Sequence, residues 1–392
     1  MSEEQKRAVY LDYNATTPLA PEVFEAMRPF FQEIFGNPSS IHQIGRRARV
    51  FLDEFREKAA AILSCKPSEI IFTSGGTESN NLAIFGIARL LKNRGRHIIT
   101  SAIEHHSVLN CCEYLAEQEG FDITYLPVSP EGKVNPDDVK SAIKKETILV
   151  SVMAANNEIG SLQPIRKIGE ICRERGVIFH TDAAQWFGKE PFNYIEELNA
   201  DLITICAHKI YGPKGAALLY IRSPLKPQPL ILGGKHENEL RAGTENLAAI
   251  AGLVKAMELF IKPPVFNRQK LEPLSNRLIS LVKNLPAVTF RGPSSPEERL
   301  CNTVAFTVDG IDSAVILAAL DIEGICASSG SACSSGALEP SHVIAALGSP
   351  QNARSLTRFS LGRETTEADI ERVESVLPDI ISRAIRLTSR VS

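Results

Sequence analysis

The sequence predicts an α/β protein with a mainly parallel sheet, joined to a smaller α+β domain. Strand-period and helix-period segments alternate from about residue 69 to residue 260. Alternation of that kind is the pattern of βα units whose strands pair in parallel. The strand segments are apolar on both faces, as strands covered by helices on each side must be. Past Lys262-Pro263-Pro264-Val265 the texture changes to helices and short strands, which makes that stretch a plausible hinge. The expected division is 20–262 for the large domain, with 1–19 and 263–392 together forming the small one.

Residues 69–73 (EIIFT) read as the first strand of the large domain. It leads through Ser74-Gly75-Gly76-Thr77 into a helix, with Thr77 available as its N-cap. Further strands are expected at 97–101, 147–153, 177–181 and 201–205, and helices after His105, over 165–175 and over 244–260. The small domain reads as a helix from about Arg268, short strands near Val288 and over 302–308, and a closing helix from Thr366.

Bulk properties exclude several classes. Lys plus Arg total 43 against 46 for Asp plus Glu, a net charge of -3, so there is neither a basic face for nucleic acid nor a polybasic membrane anchor. Residues 1–7 are short and polar, without the apolar region of a signal peptide. No apolar run approaches the roughly 20 residues that span a bilayer. A cytoplasmic protein is expected. Eight cysteines, at 65, 111, 112, 172, 206, 301, 326 and 333, form no C-x-x-C pair, so no metal site of the usual spacing is expected. Most of them suit buried, small apolar positions.

Ligands of open parallel sheets bind beyond the carboxyl ends of the strands, so the residues there carry the chemistry. After the first strand, Gly75 and Gly76 allow a close backbone approach, and the helix that follows offers free N–H groups and a positive dipole end. Taken alone, this is more often an ordinary glycine turn. Asp182 follows the strand 177–181 and, buried there, needs a partner to stay ionised, although it also suits a helix N-cap. Lys209 follows the strand 201–205 in Cys206-Ala-His-Lys209, before a Gly-rich bend, where desolvation makes a lysine nucleophilic. A lone lysine of this kind is more often a surface residue. Together, an anion cup, a carboxylate for a pyridine nitrogen and a lysine for a Schiff base are what pyridoxal phosphate demands.

The stretches YLDYNATTP (10–18), GNPSS (36–40), FTSGGTESNN (72–81), NNEIG (156–160), HTDAAQ (180–185) and HKIYGPKG (208–215) closely resemble the cysteine desulfurases of the NifS/IscS type. These are fold-type I pyridoxal-phosphate enzymes, and the resemblance runs from about Tyr10 to the closing helix. It implies that Lys209 carries the cofactor as a Schiff base, Asp182 pairs with the pyridinium nitrogen and Gln185 bonds the ring hydroxyl. It also implies that Gly76, Thr77 and His208 hold the phosphate, and that His105, rather than His106, stacks on the ring and moves protons. Thr244 is similar to the threonine that reaches the neighbouring subunit's phosphate, which implies a homodimer. L-cysteine is the implied substrate, and a sulfur-acceptor protein, such as an iron–sulfur scaffold, the implied partner.

Cys333 lies in the segment 326–338 (CASSGSACSSGAL), rich in Ser, Gly and Ala. A segment of that composition buries little, so a cysteine in its middle is expected to be exposed. Cys326 falls on an apolar strand instead. The S-G-S-A-C-S-S pattern is similar to the catalytic loop of the NifS/IscS branch, which makes Cys333 the residue that takes the sulfur. Arg358, in LTRFSLG, resembles the family's carboxylate-binding arginine, with Asn157 as a second contact; a guanidinium suits a carboxylate because it bonds through two parallel donors.

The sequence departs from the family pattern at several positions. Cys206 stands where many relatives carry a serine that donates to the phosphate, and a thiol is a weak donor. Ala154 stands where a histidine often precedes the Asn pair, and Lys235 and Glu239 replace glycines. The chain ends at Ser392, so the long tail that similar enzymes use to dock an iron–sulfur scaffold is expected to be missing. Selenocysteine lyase, an aminotransferase or decarboxylase on this fold, and a cofactor-binding scaffold without turnover are the competing readings. A loop cysteine argues against the aminotransferase, and intact Lys209, Arg358 and Cys333 argue against the scaffold.

Overall fold

A computed structural model describes residues 8–330 and 339–388. The strands, in chain order, are β1 (Val9–Tyr10), β2 (Ile70–Thr73), β3 (His97–Ser101), β4 (Asp122–Leu126), β5 (Thr147–Ser151) and β6 (Ile178–Asp182). There follow β7 (Leu202–Cys206), β8 (Ala217–Ile221), β9 (Val288–Arg291), β10 (Thr303–Val308), β11 (Ile325–Cys326) and β12 (Leu356–Ser360). Seven of them form one sheet in the order β2-β8-β7-β6-β5-β3-β4. Only β8 runs against its neighbours, so the other six strands end at the same edge.

Both faces of this sheet are covered, which is why its central strands are apolar throughout. On β7, Ile203 and Ile205 pack with the helices Gln43–Leu63 and Leu247–Phe260. Leu202 faces the other way, toward Leu82 and Ile87 of the helix Gly76–Leu91 and Val108 and Leu115 of the helix His106–Glu119. Successive residues of a strand point to opposite faces, so one segment serves two cores.

The strands expected in the large sheet are all present, shifted by one or two residues at their ends. Three others had no clear pattern. β4 lies at the sheet edge and is mostly part-exposed, so its sequence DITYL lacks an apolar run. β8 is wholly buried but follows directly on the Gly-rich bend. β12 buries Thr357, Arg358 and Ser360, and those polar residues hide a strand that is itself fully covered. Two helix starts also differ from expectation. Gly75, not Thr77, is the N-cap of the helix Gly76–Leu91 and gives it no side-chain cap. The helix expected over 244–260 begins at Leu247, because the Asn246 side chain accepts from Ala249 N and caps it there.

A smaller antiparallel sheet, β12-β10-β9, supplies the opposite wall of the site. The segment after β1 runs between the two sheets. Leu11 is fully buried, and Asp12 bridges to Ser360 on β12. Gly362 allows this passage. A Cβ there would meet the Tyr13 ring at 2.3 Å, and Tyr13 is itself buried. Gly362→Ala should therefore force an overpacked contact and lower the unfolding free energy by about 2 kcal/mol. Urea denaturation checks this, and an unchanged midpoint would show that the strap yields freely.

Candidate active site

The common edge of the parallel strands gathers the predicted residues into one pocket. Gly76, Thr77, His105, Asn157, Asp182, Gln185, Cys206, His208, Lys209 and Arg358 all line it. Thr244 does not; it is exposed on the loop before the helix Leu247–Phe260. Cys333 lies outside the described residues, but Gly330, three positions before it, lines the pocket.

Asp182 is the last residue of β6 and is 8% exposed. Its Oδ2 accepts from Asn80 Nδ2 at 2.7 Å and its Oδ1 from Ala184 N at 2.9 Å. These are neutral donors, and among the described residues no cation forms an ion pair with it. A buried carboxylate in that position calls for a positive group from a ligand.

Lys209 closes the short turn Ala207–Lys209 directly after β7. Its Nζ donates to the Asn14 carbonyl at 2.6 Å and the Ala15 carbonyl at 2.8 Å, so the N-terminal strap fixes its place in the pocket. At the start of the helix Gly76–Leu91, the missing side-chain cap leaves first-turn N–H groups for an anion. Cys206 faces the same spot, since a Cβ on Gly76 would lie 3.9 Å from its Sγ. Burial raises the pKa of this thiol, so it stays protonated. His208 bonds Thr16 Oγ1 at 3.2 Å. Burial, with the charges of Lys209 and Lys214, pulls its pKa down to about 3 and keeps it neutral.

His105 is the N-cap of the helix His106–Glu119, and its side chain accepts from Ser107 N. That bond uses Nδ1, which places the proton of the neutral ring on Nε2. Burial lowers its pKa. A chain of bonds runs from Asp182 through Asn80 Nδ2 to Ser107 Oγ and on to His105 Nδ1. The Asn80 Oδ1 atom is buried with no partner among the described residues.

Arg358 is 1% exposed. Its Nη2 pairs with Asp12 Oδ1 at 2.6 Å, and its Nη1 donates to the carbonyls of Asn157 and Gly330, both at 2.8 Å. Its Nε is buried without a partner among the described residues. Gly330 abuts Glu158, for a Cβ there would lie 2.9 Å from its carboxylate. The same carboxylate accepts from Ser341 Oγ at 2.5 Å. Both flanks of 331–338 are thus tied to the pocket.

Sequence reasoning gave no role to Asn14, Asn80, Glu158 or His342, which also line the pocket. Asn14, Asn80 and Glu158 were visible only as members of longer motifs.

An uncapped helix start, a buried carboxylate without a cation and a lysine at the next strand end fit pyridoxal phosphate, and with the sheet they define a fold-type I enzyme of that cofactor. Known proteins agree. The class-V aminotransferase family model matches residues 9–373. Cysteine desulfurase IscS of Dictyoglomus turgidum is 51% identical over 380 residues, covering 96% of this chain and 95% of that protein. The structure of a NifS-like protein superposes with a TM-score of 0.88 at 35% identity, covering 96% and 100% of the two chains. That of SspA in complex with cysteine gives 0.78 at 37% identity, covering 91% and 99%. The chain belongs to the class-V aminotransferase family, among the cysteine desulfurases of the IscS type.

Behind His105, Glu104 is fully buried and burial raises its pKa to about 8. Its Oε1 accepts from Ser101 Oγ and Met153 N. A carboxyl whose folded pKa is raised favours the folded state fully below its ordinary value of 4.5, and that stabilisation is lost as pH rises to about 8. Glu104→Gln cannot ionise, so its melting temperature should fall less between pH 5 and pH 8 than that of the parent protein. Parallel melting curves across that range would show that Glu104 is not the titrating group.

Proposed function

We propose that the chain removes sulfur from L-cysteine, leaves L-alanine, and carries the sulfur as a persulfide on Cys333 for an acceptor protein. The position of Gly330 supports this most. It shares a pocket with Lys209, Asp182 and Arg358, and three residues of extended chain reach about 10 Å. A cysteine within that reach has no use in an aminotransferase or a decarboxylase.

In this reading the N–H groups at Gly76 and Thr77 hold the phosphate with His208, and the Cys206 thiol adds a weak donor. Asp182 would pair with the ring nitrogen, Gln185 would bond the ring hydroxyl, His105 would lie against the ring, and Lys209 would carry the cofactor. Bound pyridoxal phosphate supplies an electron sink next to the substrate Cα. Arg358 takes the substrate carboxylate, with Asn157 beside it; its Nε is the donor without a partner among the described residues. Once displaced by the substrate amine, the Lys209 amine would take the Cα proton and later return it to Cα, with the neutral His105 ring as a relay. The Cys333 thiolate attacks the substrate sulfur. A sulfur–sulfur bond forms as the carbon–sulfur bond breaks, and Cβ keeps that electron pair and takes a proton to become the methyl group of alanine.

We assign two domains, 20–262 and 1–19 with 263–392. Their sheets lie in separate stretches of chain, and β1 pairs with β11. A homodimer fits the exposed Phe31, Phe35 and Ile41 and the exposed Thr244, which does not line the pocket of its own chain. No described helix is long and apolar enough to cross a membrane. Seven described cysteines are free, which suits the reducing cytoplasm. An iron–sulfur scaffold is the proposed acceptor.

Cys333→Ser tests the reading. The variant should bind the cofactor and exchange the Cα proton of cysteine. It should release alanine at least about a hundredfold more slowly, because a hydroxyl is a far poorer nucleophile than a thiolate. Alanine release at the parental rate would refute the role of Cys333.

A further inference from the structure

Lys189 has no part in the chemistry above, yet it is 2% exposed. Among the described residues no carboxylate lies within ion-pair distance of it. Its Nζ donates to Asn14 Oδ1 at 2.6 Å and to Gln185 Oε1 at 2.5 Å, and stands 5.0 Å over the Phe266 ring. The titratable groups around it are Lys209, Arg358, Cys301 and Glu190. Burial of an amino group is unfavourable, and a residue that only filled this space would be apolar.

Its geometry acts on Gln185. An amide offers an acceptor at one end and two hydrogens at the other. Here the acceptor end is taken by Lys189, and one Nε2 hydrogen goes to the Asn14 carbonyl at 2.9 Å. Gln185 lines the pocket, so the side chain has an N–H left for a ligand and its carbonyl oxygen is already occupied. Without Lys189 only the bond to the Asn14 carbonyl, among these contacts, holds the amide in this sense, and the oxygen loses its donor. Burial, with the charges of Lys209 and Arg358, pulls the pKa of Lys189 down. Lys189 holds the amide through its N–H groups, and even a neutral amine has one for each amide oxygen.

We propose that Lys189 is a positioning residue that holds the Gln185 amide with its oxygen turned away from the pocket and an N–H toward it, so that the site favours an unprotonated oxygen on the ligand ring over a hydroxyl. This rests on the reading that Gln185 meets the ring hydroxyl of pyridoxal phosphate. A donor at that point stabilises the unprotonated oxygen and lowers its proton affinity, and losing the donor raises it.

The test compares Lys189, Lys189→Met and Lys189→Gln, each with Gln185 intact and with Gln185→Ala. Each protein is titrated with pyridoxal phosphate for its dissociation constant, and the visible absorbance of the bound cofactor is followed against pH. With Gln185 intact, Lys189→Met should weaken binding roughly tenfold and raise the pH midpoint by about half a unit or more. Lys189→Gln keeps an N–H donor and should fall between the two. With Gln185→Ala neither change at Lys189 should move the midpoint, since the group it positions is gone. An unmoved midpoint, or an equal shift in both backgrounds, overturns the proposal. Should Lys189→Met fail to fold, Lys189→Gln decides by the same comparison. A parent protein that binds no pyridoxal phosphate would instead overturn the functional reading.

Discussion

One buried asparagine on the N-terminal strap holds the two walls of the pocket together. Asn14 is 1% exposed, and its backbone carbonyl accepts from both Lys209 Nζ and Gln185 Nε2. Its Oδ1 accepts from Lys189 and Asn302, and its Nδ2 donates to the Asn157 carbonyl and Thr303 Oγ1. The first set of partners lies past the ends of β6 and β7, and Thr303 opens β10 on the smaller sheet. Losing this residue's bonds would strand several buried polar groups, each worth about 1–3 kcal/mol when unsatisfied. Gly362, by letting Tyr13 pass, makes the strap's course possible.

The charges in the pocket are few and fixed. Burial holds His105 and His208 neutral. Asp182, Lys209 and Arg358, the last paired with Asp12 behind it, are then the principal charged groups along its wall. Asp182 has amide donors for partners and Lys209 has carbonyl acceptors. The two stand at the ends of adjacent strands. A ligand that brings a protonated ring nitrogen and a carbonyl carbon completes both at once. Arg358 differs, because Asp12 already answers its charge. A buried guanidinium paired in this way is held in one orientation.

Much of this was legible in the sequence because it is local. Apolar segments marked the strands, and the residues just beyond them, Gly76, Asp182, Cys206 and Lys209, proved to be neighbours because parallel strands end at one edge. What was not legible depends on contacts far apart in the chain. Asn14 meets Thr303 across 289 positions and Ser360 across 346, and no periodicity records such pairs. Lys189 looks like a surface residue until Gln185 and Phe266 are placed around it. The β12 strand was obscured by Thr357, Arg358 and Ser360, all polar and buried; Arg358 lines the pocket and Ser360 Oγ accepts from Asn14 N of the strap. Thr77 was available as a cap for its helix, whereas Gly75 takes that position and leaves the helix start without a side-chain cap.

Lys209 is the proposed point of attachment for the cofactor, and two other lysines lie close by in sequence, Lys189 and Lys214. Borohydride reduction of the protein saturated with pyridoxal phosphate, followed by peptide mapping, distinguishes them directly. The label should fall on Lys209 alone, since its amine sits in the pocket under the strap while the Lys189 amine is held behind Gln185. A label on Lys189 or Lys214, with Lys209 unmodified, would contradict the arrangement of the whole site.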